Sequence, residues 1–212
     1  MNTQSMKKEL ISLLYRSCLD YLKQYSTDIK SEKVYAFTIY CSSAFRNMAL
    51  AISTRESLAR RISKGVGNEP ELFYEVNAAE WEYVNLHYGL FDKVDEKIDE
   101  LYNEFYDGEF EDVDLEQFDD EQLWEYICEF YSDVIIRTLK NLKQDKVFNS
   151  RLFEDDLLLG IQFGDPDEGS IKVIEQISAE LNSSCWHKKI KNNCKYLLHH
   201  SEYSMSSSEY LD

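Results

Sequence analysis

Two long apolar periodicities in the middle of the chain constrain the fold more than any other feature. Leu90, Phe91, Val94, Ile98, Leu101, Tyr102 and Phe105 recur every three or four residues. After a break at Asp107-Gly108, the series Leu115, Phe118, Leu123, Tyr126, Ile127, Phe130, Tyr131, Val134, Ile135, Leu139 and Leu142 does the same. A repeat of about 3.6 residues puts each series on one helical face, so the fold must offer a core for two amphipathic helices to cover. A similar stripe, Leu10, Ile11, Leu14, Tyr15, Cys18, Leu22 and Tyr25, predicts a helix from about Ser5 to Tyr25.

Between these helices lie shorter segments of another kind. Val34-Tyr35-Ala36-Phe37-Thr38-Ile39-Tyr40 and Asn47-Met48-Ala49-Leu50-Ala51-Ile52-Ser53 flank the polar Ser42-Ser43, which predicts two neighbouring strands in a hairpin. Ser53-Thr54-Arg55-Glu56 has the form of a capping box and predicts a helix start, with the end near Gly65-Val66-Gly67. Leu72-Phe73-Tyr74-Glu75-Val76 is a third strand candidate, and Asn77 to Tyr83 is open between a helical turn and a strand. Leu157 to Phe163 reads as a buried strand closed by the Gly164–Gly169 loop, with Ile171–Leu181 leaning helical. The expectation is an α/β chain of the α+β type: a small, mostly antiparallel sheet packed against several amphipathic helices. One globular α/β domain is expected over residues 1–182, followed by a Lys- and Ser-rich C-terminal extension over 183–212 whose last dozen residues are disordered.

The chain can bury a substantial core, since 43% of its 212 residues are hydrophobic and 14% aromatic. Its net charge of −17, from 40 acids against 23 Lys and Arg, argues against nucleic-acid backbones and anionic membranes as partners. No apolar run approaches the roughly 18 residues of a membrane span, and Glu9, Arg16, Asp20 and Lys23 interrupt any signal-peptide pattern at the start. Five cysteines, odd in number and widely spaced, point to reduced thiols and a cytoplasmic location. Cys18 and Cys128 fall on apolar helical faces and read as core.

Charge is placed unevenly. Asp92 to Glu125 holds sixteen carboxylates against Lys93 and Lys97, fourteen of the seventeen net negative charges in about a sixth of the chain. Carboxylates within a Debye length of one another repel, a cost that a basic partner would offset; solvated faces of two amphipathic helices are the plainer alternative. The connection Asp107-Gly108-Glu109-Phe110-Glu111-Asp112-Val113-Asp114 sets two apolar residues among acids. The candidate partner-binding residues are therefore Asp107, Glu109, Phe110, Glu111, Asp112, Val113, Asp114, Asp119 and Asp120. Phe110 and Val113 are either anchors inside an acidic rim or side chains tucked back onto their own helices.

Metal and catalytic signals are weaker. Cys185, His187, Cys194, His199 and His200 are the right ligand types for zinc but lack paired Cys-x-x-Cys spacing, and no metal or cofactor is expected. Asp165-Pro166-Asp167-Glu168-Gly169 lacks the distal Glu of a calcium loop and reads as a turn. There is no Gly-x-Ser-x-Gly elbow and no glycine-rich phosphate loop, and Glu80 with His87 is an incomplete hydrolase constellation.

Three of these segments carry a resemblance. Lys33-Val34-Tyr35-Ala36-Phe37-Thr38-Ile39-Tyr40, then Ala78-Ala79-Glu80-Trp81-Glu82-Tyr83 leading into Phe91-Asp92-Lys93-Val94, and later Ile161-Gln162-Phe163-Gly164-Asp165, resemble in order and spacing the bacterial family called domain of unknown function 4303. The Tyr-Ala-Phe strand followed by Glu-Trp-x-Tyr is its specific part, and the match runs from about Met6 to Asn182. The resemblance implies an α/β fold without established catalytic residues, and a place among proteins some of which are encoded beside toxins as immunity proteins. The functional expectation is a non-catalytic binding protein that occludes a basic toxin domain with its acidic face. An adaptor for a peptide or protein partner is the alternative, and a hydrolase a more remote one.

Overall fold

The computed structural model describes residues 2–28, 32–65, 67, 69–107 and 110–208, with side chains for all of these except 26–28, 107 and 200–208. Helix α1 (Thr3–Asp28) leads into the hairpin of β1 (Val34–Cys41) and β2 (Met48–Thr54). Helices α2 (Arg55–Ser63) and α3 (Glu71–Val76) precede the two-residue strand β3 (Tyr83–Val84). The long helices α4 (Asp92–Asp107) and α5 (Asp120–Gln144) follow, then β4 (Phe153–Phe163), α6 (Glu168–Leu181) and α7 (Ser184–Ser208).

The four strands lie in the order β3-β2-β1-β4, with β1 antiparallel to β2, β2 antiparallel to β3, and β1 parallel to β4. Two of three pairings are antiparallel, as the sequence predicts, and the fold is α+β. β2 is buried along its whole length and β1 almost so, which requires cover on both faces. That is why the hairpin reads as near-continuous apolar runs rather than as alternation. Leu10, Leu14, Cys18 and Tyr21 of α1, Ile98 and Phe105 of α4, Tyr131 and Leu139 of α5, and Ile174 of α6 join the strands in one apolar cluster. Removing apolar surface from water at about 25 cal/mol per Å² is what holds these layers together.

Turn geometry closes one end of the sheet. Phe45, in the β1–β2 connection, takes a left-handed backbone at φ 53°, unusual for a bulky residue, and is 1% exposed. Its ring stacks on Tyr131 and meets Phe163 edge-on, both at 5.3 Å, so aromatic burial offsets the backbone strain. At Gly164 a Cβ would sit 2.9 Å from the Tyr40 hydroxyl, and the Gly164 amide donates to Cys41 O. A side chain there would crowd the end of β1.

The structure differs from the sequence-based expectations at several elements. Leu72–Val76 is helix, not strand: Pro70 stands at the N-cap, Glu71 in the first turn complements the helix dipole, and Phe73 N–H bonds Pro70 O. The third strand is Tyr83–Val84, preceded by a 3-10 turn over Ala78–Glu80. The capping box of α2 is Thr54 with Ser57, one residue beyond Ser53 with Glu56, because strand pairing runs through Thr54 and leaves Glu56 to accept from Lys33 N–H. The second long helix begins at Asp120 rather than near Leu115. Asp119 and Gln122 form its capping box, and Leu115–Gln117 is a separate 3-10 turn.

Residues 184–208, read from the sequence as a Lys- and Ser-rich extension, form α7. It packs on α6 and buries Trp186, Ile190 and Cys194. Of the dozen C-terminal residues expected to be disordered, 209–212 lie outside the described residues. Cys18 is fully buried and Cys128 half-buried.

Candidate functional site

Two surfaces concentrate chemistry, and they stand at opposite ends of the β1–β2 hairpin. The register pairs Val34 with Thr54 at one end and Cys41 with Met48 at the other. Seven or eight residues at about 3.3 Å each separate them by more than 20 Å.

At the Thr54 end, α2 faces α3 and the segment into β3 across a cleft of about 300 Å³. Ser57, Leu58 and Arg61 come from one face of α2 and Lys64 from its C-cap; Tyr74, Glu80, Trp81 and Glu82 come from the other wall, with Ser53 also in the lining. Arg61 pairs with Glu80 at 2.8 Å and lies 4.6 Å over the Tyr74 ring. Ser57 is committed to the α2 cap, donating to Thr54 O and accepting from Thr54 N–H. Trp81 is 7% exposed, and its indole Nε1 is buried without an acceptor among the described residues.

A polar network braces this end. Glu32 accepts from Arg60 at 2.7 Å, Thr54 Oγ1 at 2.6 Å and Tyr83 OH at 2.8 Å. Burial raises the Glu32 carboxyl, but these three donors outweigh it and hold the group below its ordinary range. Arg55 forks onto Glu154 with two bonds of 2.9 Å, reaches Glu75 at 3.1 Å and stacks 4.3 Å over Tyr35. Lys189 of α7 also pairs with Glu75, at 2.7 Å, tying the C-terminal helix to this cluster.

The acidic region occupies α4, the connection after it and the first turns of α5. Its acids divide into two groups. Asp112 accepts from Thr3 N–H at 2.9 Å and from the Thr3 hydroxyl at 2.6 Å, satisfying the first free amide of α1. Asp119 caps α5, and Asp95 accepts from Met48 N–H and the Tyr88 hydroxyl. Burial raises the Asp95 carboxyl, and against the bonds from Tyr88 and Met48 the charges of Asp92 and Asp99 raise it further. Lys97, 7% exposed, is held between Glu9 at 2.8 Å and Glu100 at 2.9 Å. The second group faces solvent: Asp92, Glu96 and Asp99 on α4, Glu111, Asp114 and Glu116 in the connection, and Asp120, Glu121 and Glu125 on α5.

Of the residues singled out from sequence, Glu111, Asp112, Asp114, Asp119 and Asp120 are all exposed; Asp112 and Asp119 are also engaged as caps, and Asp114 accepts from the Gln117 side chain at 2.5 Å. Phe110 and Val113 are partly buried against the core, with the Phe110 ring 5.5 Å from Phe105. Glu109 and the side chain of Asp107 lie outside the described residues. The aromatics left in solvent here are Tyr106, 62% exposed, and Trp124, 37% exposed. Both fall outside the apolar series of their helices, which is the signal that could have found them. Tyr106 stacks on Tyr102, whose ring carries Arg46 at 3.6 Å. Glu80 and His87 are not brought together: Glu80 lines the cleft, whereas His87 packs edge-on to Tyr21 at 5.7 Å. Cys185 is exposed while Cys194 is buried against Ile171 O, and the His200 side chain lies outside the described residues.

The three segments that carry the family resemblance meet in space. Gln162 of β4 faces the Ala78 amide at 3.4 Å, and the Tyr35 ring meets Trp81 edge-on at 6.4 Å. A family model described as domain of unknown function (DUF4303) matches residues 14–183. No curated protein and no solved structure matches the chain. Among the described residues no helix is long and apolar enough to cross a membrane.

Proposed function

We propose that this chain, which belongs to the DUF4303 family, is a non-catalytic cytoplasmic binding protein of the immunity or antitoxin type, whose acidic face covers a basic surface of a cognate bacterial toxin. The observation that carries this reading is the conjunction of an acidic field with exposed Tyr106 and Trp124. Interfaces draw much of their energy from a few aromatic or Arg anchors, while surrounding charge steers encounter and rejects wrong partners. Acids already used as caps hold the face in shape, and Asp92, Glu96, Asp99, Glu116, Asp120, Glu121 and Glu125 turn their carboxylates to solvent.

Calorimetry on the protein mixed with the product of the neighbouring gene tests the reading. The expected result is a stoichiometric complex that blocks the partner's activity, with Trp124→Ala weakening it by about 2 kcal/mol or more, the size of an interface anchor. Absence of a complex, or one that ignores both Tyr106→Ala and Trp124→Ala, would sink it.

A further inference from the structure

The cleft at the Thr54 end is independent of the acidic face and has a chemistry of its own. Its α2 wall offers Arg61 and Lys64, and the opposite wall offers Glu80 and Glu82. The lining charges therefore balance, which disfavours a simple anion or cation. Leu58, Tyr74 and Trp81 supply apolar and aromatic surface between them. At about 300 Å³ the space stands at the small end of ligand pockets.

Two observations point to an occupant. The first is the Trp81 indole N–H, buried in a residue that is 7% exposed and lacking an acceptor among the described residues. A buried donor without a partner is costly, and a ligand oxygen is one way to satisfy it. The second is the Arg61–Glu80 pair, 2.8 Å apart with side chains 37% and 29% exposed. Solvent-accessible pairs of this kind contribute little to stability and separate readily. A zwitterion entering between them replaces each lost charge with a matching one.

We propose that the cleft binds a free α-amino acid with an apolar side chain. Its carboxylate takes Arg61 and the Trp81 N–H, its ammonium takes Glu80, and its side chain lies on Leu58 and Tyr74. Lys64 adds positive charge on the carboxylate side and Glu82, already paired with Arg60 at 3.0 Å, negative charge on the ammonium side. Ser57, bound into the helix cap, contributes shape rather than reactivity.

The test uses the full chain labelled with ¹⁵N at its three tryptophans, whose indole cross-peaks are assigned by single Trp→Phe variants. L-leucine, isocaproate and isoamylamine serve as probes. The expected result is a saturable shift of the Trp81 indole signal with L-leucine and none at Trp124, with each one-charge analogue at least tenfold weaker. Glu80→Gln weakens L-leucine at least tenfold while leaving the unfolding midpoint in place, which keeps the test decisive if Trp81→Phe fails to fold. A Trp81 signal that stays still with L-leucine, L-phenylalanine and L-glutamine overturns the proposal. An equal response to isocaproate overturns the zwitterion assignment, and an undiminished response in Glu80→Gln overturns the assigned geometry.

Discussion

Replacing Asp112 by Ala separates the structural from the interfacial use of the acidic region. Asp112 reaches across the fold to α1, where Asn2 caps Ser5 N–H and leaves Thr3 N–H to the Asp112 carboxylate. Losing a helix cap costs about 1 kcal/mol. Thr3 is 3% exposed, so its hydroxyl, which also donates to Asp112, adds a fraction of the cost of an unsatisfied buried group. The sum is about 1.5 kcal/mol, which for a chain of this size lowers the unfolding midpoint by about 3–6 °C. The pH dependence has a definite sign. Burial raises the Asp112 carboxyl, but the bonds from Thr3 and the Gln4 amide outweigh it and hold the group below its ordinary range. Its stabilisation is therefore present above the unfolded value, about 3.9, and is lost as pH falls through the folded one. Calorimetric melts of wild type and Asp112→Ala should differ by that margin at pH 7 and by progressively less as pH falls below about 4, toward the smaller margin of Asp112→Asn, which like the protonated acid keeps one acceptor. Exposed Glu116→Ala serves as the control and should stay within about 0.5 kcal/mol of wild type. Equal melting of wild type and Asp112→Ala at pH 7 would refute the cap.

Other consequences follow from the same geometry. Thr54→Val keeps the strand end but removes the hydroxyl that accepts from Ser57 N–H and donates to Glu32, and should cost about 1–2 kcal/mol in denaturant titrations. Arg55→Ala should cost about 1–2 kcal/mol by losing its fork on Glu154 and its stacking on Tyr35, with Arg55→Lys restoring less than half because an ammonium cannot fork. In thiol titration of the native protein at pH 8, exposed Cys185 should react first and half-buried Cys128, pushed up to about 11 by burial, slowly. Cys18, Cys41 and Cys194, all buried, should react only on unfolding; early labelling of any of them would contradict the packing.

Much of the fold is legible in the sequence because most elements bury a continuous face. The α1, α4 and α5 stripes locate themselves by period, and the hairpin by two near-continuous apolar runs either side of Ser42-Ser43. Leu72–Val76 misleads because five residues are too few to show a period, and the deciding signal is Pro70 before Glu71 rather than the apolar run. Asp119 and Gln122 carried a readable start signal for α5 that the apolar series through Leu115 and Phe118 obscured. The double use of the acids was not legible: Asp112 looks like any exposed carboxylate until the fold brings Thr3, 109 positions away, against it. The cleft has the same origin, assembled from α2 and a segment some twenty residues on, with only Glu80 and Trp81 noticed beforehand.

The most direct test of the binding account is the affinity for the neighbouring gene's product as a function of salt, compared with Asp114→Asn/Glu116→Gln/Glu121→Gln/Glu125→Gln. These four acids are exposed and leave the Asp112 and Asp119 caps intact. The account predicts that wild-type affinity falls more than about tenfold between about 0.05 and 0.5 M NaCl, and that the neutralised variant binds more weakly with most of this dependence gone and its melting unchanged. Tight binding that is indifferent both to salt and to the four substitutions would contradict it.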